Sequence, residues 1–136
     1  MFKAETKILI VDDMSTMRLA LREQLKRIGF NNFIECQNGD QAFNVLDEQI
    51  KKKDPVQLVL TDWCMPLMSG VELVKKMRET IHLKSLPVLL VTAERTNDNK
   101  KEALDMGANG FLAKPFTADD LKSVLTEIYT SRKKSA

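Results

Sequence analysis

A doubly wound parallel α/β sheet, with five strands in the order 2-1-3-4-5, is the fold class this sequence predicts. Three observations carry that expectation. Short runs of β-branched and leucine residues, apolar throughout rather than alternating, read as strands buried on both faces. Segments with apolar residues at helical spacing lie between them. The connections are short, and right-handed crossovers leave few orders open to five strands alternating with five helices.

The first strand is Lys7–Val11, ending on the carboxylate pair Asp12-Asp13. Ser15 is placed to cap the following helix, where Met17, Ala20, Leu21, Leu25 and Ile28 share a face and Gly29 supplies the stop. Asn32–Cys36 is a short, less hydrophobic strand that suits a sheet edge. Asn38-Gly39-Asp40-Gln41 has the form of a helix start leading to Ala42, Val45, Leu46 and Ile50, and the charged stretch from Lys51 to Pro55 reads as a solvated loop. Gln57–Asp62 is the central buried strand, with Met65-Pro66 turning the chain just beyond it.

Ser69-Gly70-Val71-Glu72 matches a capping box before Leu73, Val74 and Met77. Leu86–Thr92 is a fourth buried strand with its proline at the entrance. The helix expected from about Thr96 to Met106 offers only Ala103, Leu104 and Met106 for burial and should be loosely held. Gly107 ends it, and Gly110–Pro115 reads as a fifth strand running into a turn. Thr117 to Asp120 caps a last helix carrying Leu121, Val124, Leu125 and Ile128, and the basic residues from Ser131 onward suggest a fraying tail.

The chain of 136 residues suits one domain, with a core of about 7–130 between short flexible tails. A net charge of +2 gives no reason to expect a nucleic-acid or membrane-surface partner. No apolar run approaches the roughly 20 residues needed to cross a bilayer, and the charged N-terminus lacks an apolar signal core. Cys36 and Cys64 have no metal-like spacing and fit a reducing cytosol. His82, the sole histidine, reads as an ordinary surface residue, which argues against histidine metal sites and triads.

Function is concentrated at the strand ends. Strands one and three are neighbours in the expected order, so Asp12, Asp13 and Asp62 meet at one rim. A lone aspartate there would be an ordinary turn or cap residue; three together repel, and they demand protonation or a cation. Oxygen-only donors suit a hard divalent ion such as Mg²⁺. Thr92 closes the fourth strand and Lys114 the fifth, bringing a hydroxyl and an ammonium to the same rim. An aspartate can act as nucleophile and carry an acyl phosphate. The phosphoryl oxygens then need positive or hydrogen-bonding partners, which Lys114, Thr92 and Mg²⁺ can supply.

Val11-Asp12-Asp13, Thr61 to Pro66, Val91 to Glu94 and Gly110 to Phe116 resemble the receiver domain of two-component response regulators over about residues 7–130. Through Asp13 to Arg18, Gly29 to Asn32, Asp62-Trp63 and Leu86 to Leu89, the chain looks most like the chemotaxis regulators of the CheY kind, with their flavodoxin-like fold. Strand order 2-1-3-4-5 is that family's own, and the strand-order rule takes it as an example, so the order and the resemblance are one expectation rather than two. It implies Asp62 as phosphoacceptor, Asp13 and Asp62 as Mg²⁺ ligands with the Cys64 backbone carbonyl, and Asp12 holding a metal-bound water. It makes Thr92 and Lys114 the phosphoryl contacts, Thr92 with Phe111 the switch pair, and the Lys114–Pro115 bond cis. It implies a cytoplasmic monomer that catalyses only its own phosphorylation and dephosphorylation. A histidine kinase would be the donor and a flagellar motor switch protein the target, with room for a phosphatase.

Two positions depart from the pattern. Cys64 stands where the best-known member has asparagine, a position that influences phosphate lifetime, and Phe111 replaces the usual tyrosine. Trp63 should sit beside the site and report metal binding by fluorescence. With no output domain after Ala136, the signal is expected to leave through the fourth helix, fifth strand and fifth helix. A non-chemotaxis phosphorelay receiver and an unphosphorylated adaptor are the nearest alternatives. A flavin carrier is disfavoured because Asp12-Asp13 would repel its phosphate. A haloacid-dehalogenase-type phosphatase is disfavoured because its first two aspartates are one residue apart rather than adjacent.

Overall fold

Five parallel strands form one sheet: β1 (Lys7–Val11), β2 (Asn32–Cys36), β3 (Leu58–Asp62), β4 (Val88–Thr92) and β5 (Gly110–Ala113). Their order is β2-β1-β3-β4-β5, as the sequence predicts, with β2 at one edge. Around them run α1 (Ser15–Ile28), α2 (Gly39–Lys51), α3 (Gly70–Arg78), α4 (Asn97–Asp105) and α5 (Ala118–Ser135). A short 3₁₀ turn, Ile81–Leu83, precedes β4 and leaves His82 exposed. The computed structural model describes residues 1–63, 65, 68–93 and 97–135, with 97–100 and 132–135 in backbone only.

The unbroken apolar runs follow from burial on both faces. Alternate residues of each strand point to opposite sides of the sheet. Leu9, Val11, Val59, Val88 and Leu90 pack with Leu46, Leu73, Val74 and Met77 of α2 and α3. Ile8, Ile10, Leu58, Leu60, Leu89 and Val91 pack with Leu21 and Leu25 of α1 and Leu121, Leu125 and Ile128 of α5. Each such side chain contributes about 1.5–3 kcal/mol relative to exposure, so this burial dominates the fold's stability.

The helix ends show where local signals succeed and where they are overridden. Asn38 caps α2 by accepting from Gln41 N, and Ser69 caps α3 by accepting from Glu72 N. Thr117 and Asp120 cap α5 reciprocally, each side chain accepting the other's backbone N–H. Gly29 ends α1 with φ +117°, a conformation glycine adopts without strain. Ser15, expected to cap α1, is instead its first residue, and Met14 occupies the cap position without a side-chain hydrogen bond. The reason is Asp12, whose Oδ1 accepts Met14 N at 2.9 Å and turns the chain before Ser15 can do so.

Other differences are local. Helix α2 takes in Lys51, and Asp54 is engaged by the Lys7 ammonium, which also donates to Gln49 Oε1. At the N-terminus, where a flexible tail is expected, Phe2 is buried edge-on to Tyr129 of α5, with ring centroids 5.2 Å apart. Helix α5 continues to Ser135, so residues 131–135 of the tail expected to fray are helical. Among its described side chains α4 buries only Ala103, and Leu104 is 43% exposed, in keeping with a loosely held helix.

Arg78, at the end of α3, ties that region together. Its Nε donates to Gly107 O (3.0 Å), one terminal nitrogen to Leu83 O (3.1 Å) and the other to Asn109 Oδ1 (2.8 Å). Asn109 Oδ1 also accepts from Val88 N, and Asn109 N donates to Val88 O, so the same guanidinium serves the start of β4. Burial lowers the Arg78 pKa from its ordinary value, yet an arginine stays charged across the accessible pH range. Arg78→Met is expected to destabilise the protein by about 2–3 kcal/mol, because it strands several half-buried acceptors at once. Urea denaturation checks this; a loss below about 0.5 kcal/mol would mean that water replaces the guanidinium without penalty.

Candidate functional site

Strand register builds the site. Val11 pairs with Thr61, which sets Asp12 level with Asp62 on the neighbouring strand. Asp62 pairs with Val91 and Thr92 with Ala113, so Thr92 and Lys114 each lie one residue further along the rim. Carboxylate oxygens of Asp12, Asp13 and Asp62 lie within 4.8 Å of one another. The sequence-predicted groups therefore converge at the carboxyl end of the sheet, where open α/β folds hold their ligands.

The three carboxylates occupy different environments. Asp12 is 1% exposed, with Oδ1 accepting from Met14 N and Oδ2 facing Lys114 Nζ at 3.3 Å. Asp62 is half-buried, with Oδ2 3.8 Å from the same ammonium. Asp13 is exposed and makes no hydrogen bond or ion pair among the described residues. Lys114 is the cation between Asp12 and Asp62; its backbone N–H donates to Thr92 O at 2.7 Å, and its peptide bond to Pro115 is cis. Thr92 is buried at 2% exposure.

As a donor set, three carboxylates with no thiolate or imidazole fit a hard divalent cation, and their mutual repulsion gives it a reason to bind. The Cys64 carbonyl, the fourth expected ligand, lies outside the described residues. Cys36 takes no part: burial pushes its thiol up to about 11, with nearby Arg18 opposing the shift, so it stays protonated. Phe111 is half-buried and edge-on to Trp63, with ring centroids 6.2 Å apart and planes at 82°.

Two supporting residues have roles that motif reading does not show. Gly70, read from the sequence only as part of a capping box, approaches Asp62 so closely that a Cβ there would sit 2.1 Å from the Asp62 carbonyl oxygen. Its N–H donates to Trp63 O at 2.9 Å, fastening α3 to the chain just past the aspartate. Arg18 donates from one terminal nitrogen to Asp12 O at 2.6 Å. Only its spacing, one helical turn beyond Met14, could have hinted at this.

The response regulator receiver domain family model matches residues 8–126. The chain belongs to that family. Among similar receivers, chemotaxis protein CheY-3 of Vibrio cholerae is 46% identical over 123 residues, covering 90% of this chain and 91% of that one. Chemotaxis protein CheY of Pseudomonas aeruginosa is 42% identical, covering 90% and 95%. The crystal structure of V. cholerae CheY4 superposes with a TM-score of 0.77 at 30% identity, covering 92% of this receiver and 99% of that chain. This receiver is thus a CheY-like component of two-component signal transduction, a signalling protein by family rather than a metabolic enzyme. No helix among the described residues is long and apolar enough to cross a membrane.

The carboxylate cluster makes its own prediction. Asp13→Asn should raise the melting temperature of the metal-free protein while removing tight Mg²⁺ binding. The gain should not exceed about 1 kcal/mol, since Asp13 is exposed and its repulsion is screened. Thermal melts in chelator check this; a lower midpoint would sink the repulsion argument and leave the ligand assignment standing.

Proposed function

We propose that the protein is a response regulator whose receiver domain accepts a phosphoryl group on Asp62 from a histidine kinase. It signals by phosphorylation-dependent binding, with a flagellar motor switch protein as target, and acts as a cytoplasmic monomer. The observation that carries this reading is the convergence of Asp62 with a half-buried ammonium, Lys114, and a buried strand-end hydroxyl, Thr92, on a rim of further carboxylates.

Asp12, Asp13 and Asp62, with the Cys64 carbonyl, are the residues that would hold Mg²⁺. When bound, Mg²⁺ offsets the carboxylate charge and neutralises phosphoryl oxygens. The chain's own groups do the rest. A carboxylate oxygen of Asp62 attacks phosphorus as the bond to the donor's imidazole nitrogen breaks, leaving an aspartyl phosphate. Lys114, already 3.8 Å from Asp62, pairs with a phosphoryl oxygen, and the Thr92 hydroxyl donates to another. Asp12, buried and held by Met14 N, stays fixed as the reference point of the site. Incubation with a small acyl-phosphate donor should add one phosphoryl group, read by mass spectrometry, only when Mg²⁺ is present. Pull-down of flagellar switch proteins with a phosphoryl mimic should exceed that without it. Equal labelling in excess chelator would count against the metal, and no labelling at all against the reading.

Phe111 refines the expectation. Drawing Thr92 toward the phosphoryl group would vacate space for the β5 aromatic, and phosphate's added charge supplies the pull. With no hydroxyl seeking water, and packed edge-on to Trp63, Phe111 should lie inward more often before phosphorylation than a tyrosine would. Phe111→Tyr should lower basal target binding by about two- to fivefold and widen the difference between states. Identical binding by that variant in both states would make Phe111 plain packing.

A further inference from the structure

We propose that Arg18 is a positioning residue for the carboxylate site, locking the Asp12–Asp13 peptide from behind and braced in turn by Glu35 and Arg22. This rests on the reading of Asp12, Asp13 and Asp62 as a Mg²⁺ site.

The Asp12 backbone is held on both sides of its Cα. Asp12 N donates to Cys36 O on β2 at 3.1 Å, and Asp12 O accepts from Arg18 at 2.6 Å. That carbonyl belongs to the planar peptide linking Asp12 to Asp13, so fixing it fixes the direction in which Asp13 leaves the strand. Asp13 needs such a constraint, because nothing among the described residues holds its own carboxylate. Asp12 does not, having Met14 N and Lys114 on its two oxygens.

Arg18 is itself fastened. Its Nε donates to Glu35 Oε1 at 3.2 Å, and Arg22 donates to Glu35 Oε2 at 3.0 Å. Arg22 also lies over the Phe33 ring, 5.6 Å from its centroid. Phe33 and Glu35 belong to β2, whose register places Glu35 beside Ile10 and Cys36 beside Val11. The edge strand thus supplies both the carbonyl that holds Asp12 N and the carboxylate that aims Arg18. The guanidinium serves the carbonyl and the carboxylate from two different nitrogens held in one rigid plane, whereas a lysine would have to reach both from a single ammonium.

Charge alone argues the opposite way. A cation beside three carboxylates competes with a bound metal ion, so removing it should tighten Mg²⁺ binding. Positioning requires that removal loosen it. The sign of the change separates the two.

The test is a Mg²⁺ titration followed by Trp63 fluorescence in wild-type protein, Arg18→Met and Arg18→Lys, with amide hydrogen exchange at residues 12–14 measured in chelator. Both variants should bind Mg²⁺ about tenfold more weakly, the usual scale for losing an outer-sphere support, even though Arg18→Lys keeps the charge. Exchange at Asp12, whose N–H donates to Cys36 O, should quicken without metal present. An Arg18→Met protein that binds Mg²⁺ as tightly as wild type, or more tightly, overturns the brace while leaving the metal site intact. A wild-type protein with no saturable response to Mg²⁺ overturns the metal site and the brace with it. Glu35→Gln, a change at a partly exposed side chain away from the carboxylates, guards against misfolding of the arginine variants. It should quicken Asp12 exchange at an unchanged melting temperature, and unaltered exchange overturns the proposal.

Discussion

Asp62→Asn should accept no phosphoryl group from a small acyl-phosphate donor, with labelling below about a hundredth of wild type because an amide is not a nucleophile. The three aspartates are not interchangeable candidates. Asp12 is enclosed, with one oxygen on Met14 N and the other on Lys114, so no in-line approach to it is open. Asp13 is accessible but has no ammonium paired with it among the described residues. Only Asp62 combines partial exposure with Lys114. Asparagine keeps the shape and removes a negative charge from the cluster, so the variant should fold at least as stably as wild type. Lost labelling would then report chemistry rather than unfolding. Full labelling of Asp62→Asn, with loss in Asp13→Asn, would move the acceptor to Asp13.

Gly70→Ala should cost about 2–4 kcal/mol and impair phosphorylation as well. Helix propensity alone predicts no such loss, since Gly70 is the first residue of α3, after the Ser69 cap, where alanine suits a helix at least as well as glycine. Sterics prevail because the added methyl would lie 2.1 Å from Asp62 O and 2.9 Å from Leu90 Cδ2. Backbone cannot yield as a flexible side chain can, so α3 must retreat or the end of β3 must shift. Either movement displaces Asp62 relative to Asp12 and Lys114. Chemical denaturation and phosphorylation of the same preparation check both halves; a variant as stable as wild type would show that α3 repacks freely.

How much of this was legible in the sequence depends on the range of the interaction. The strands and their order could be read because burial on both faces writes itself as an uninterrupted apolar run, as in Ile8 to Val11. The site could be read because each functional group directly follows such a run, so a local pattern marks a distant meeting point. Gly70, Arg18 and Arg78 could not be read. Arg18 finds Glu35 17 residues away and Arg78 finds Asn109 31 away, and no local pattern encodes either meeting. Ser15 shows the converse failure, a good local cap signal overruled by a carboxylate placed for the rim.

The two-sided sheet also bears on how such a protein can change over generations. Its two packing layers, one under α2 and α3 and the other under α1 and α5, are kept apart by the strands that both share. Substitutions far apart and without common partners tend to have additive effects. One layer can therefore drift, absorbing a smaller residue here and a larger one there, without asking for compensation from the other. The strand ends do not enjoy that freedom, because β1, β3, β4 and β5 each deliver a group to a common rim. A shift that starts in either layer is registered there, so the rim couples what the two layers keep separate.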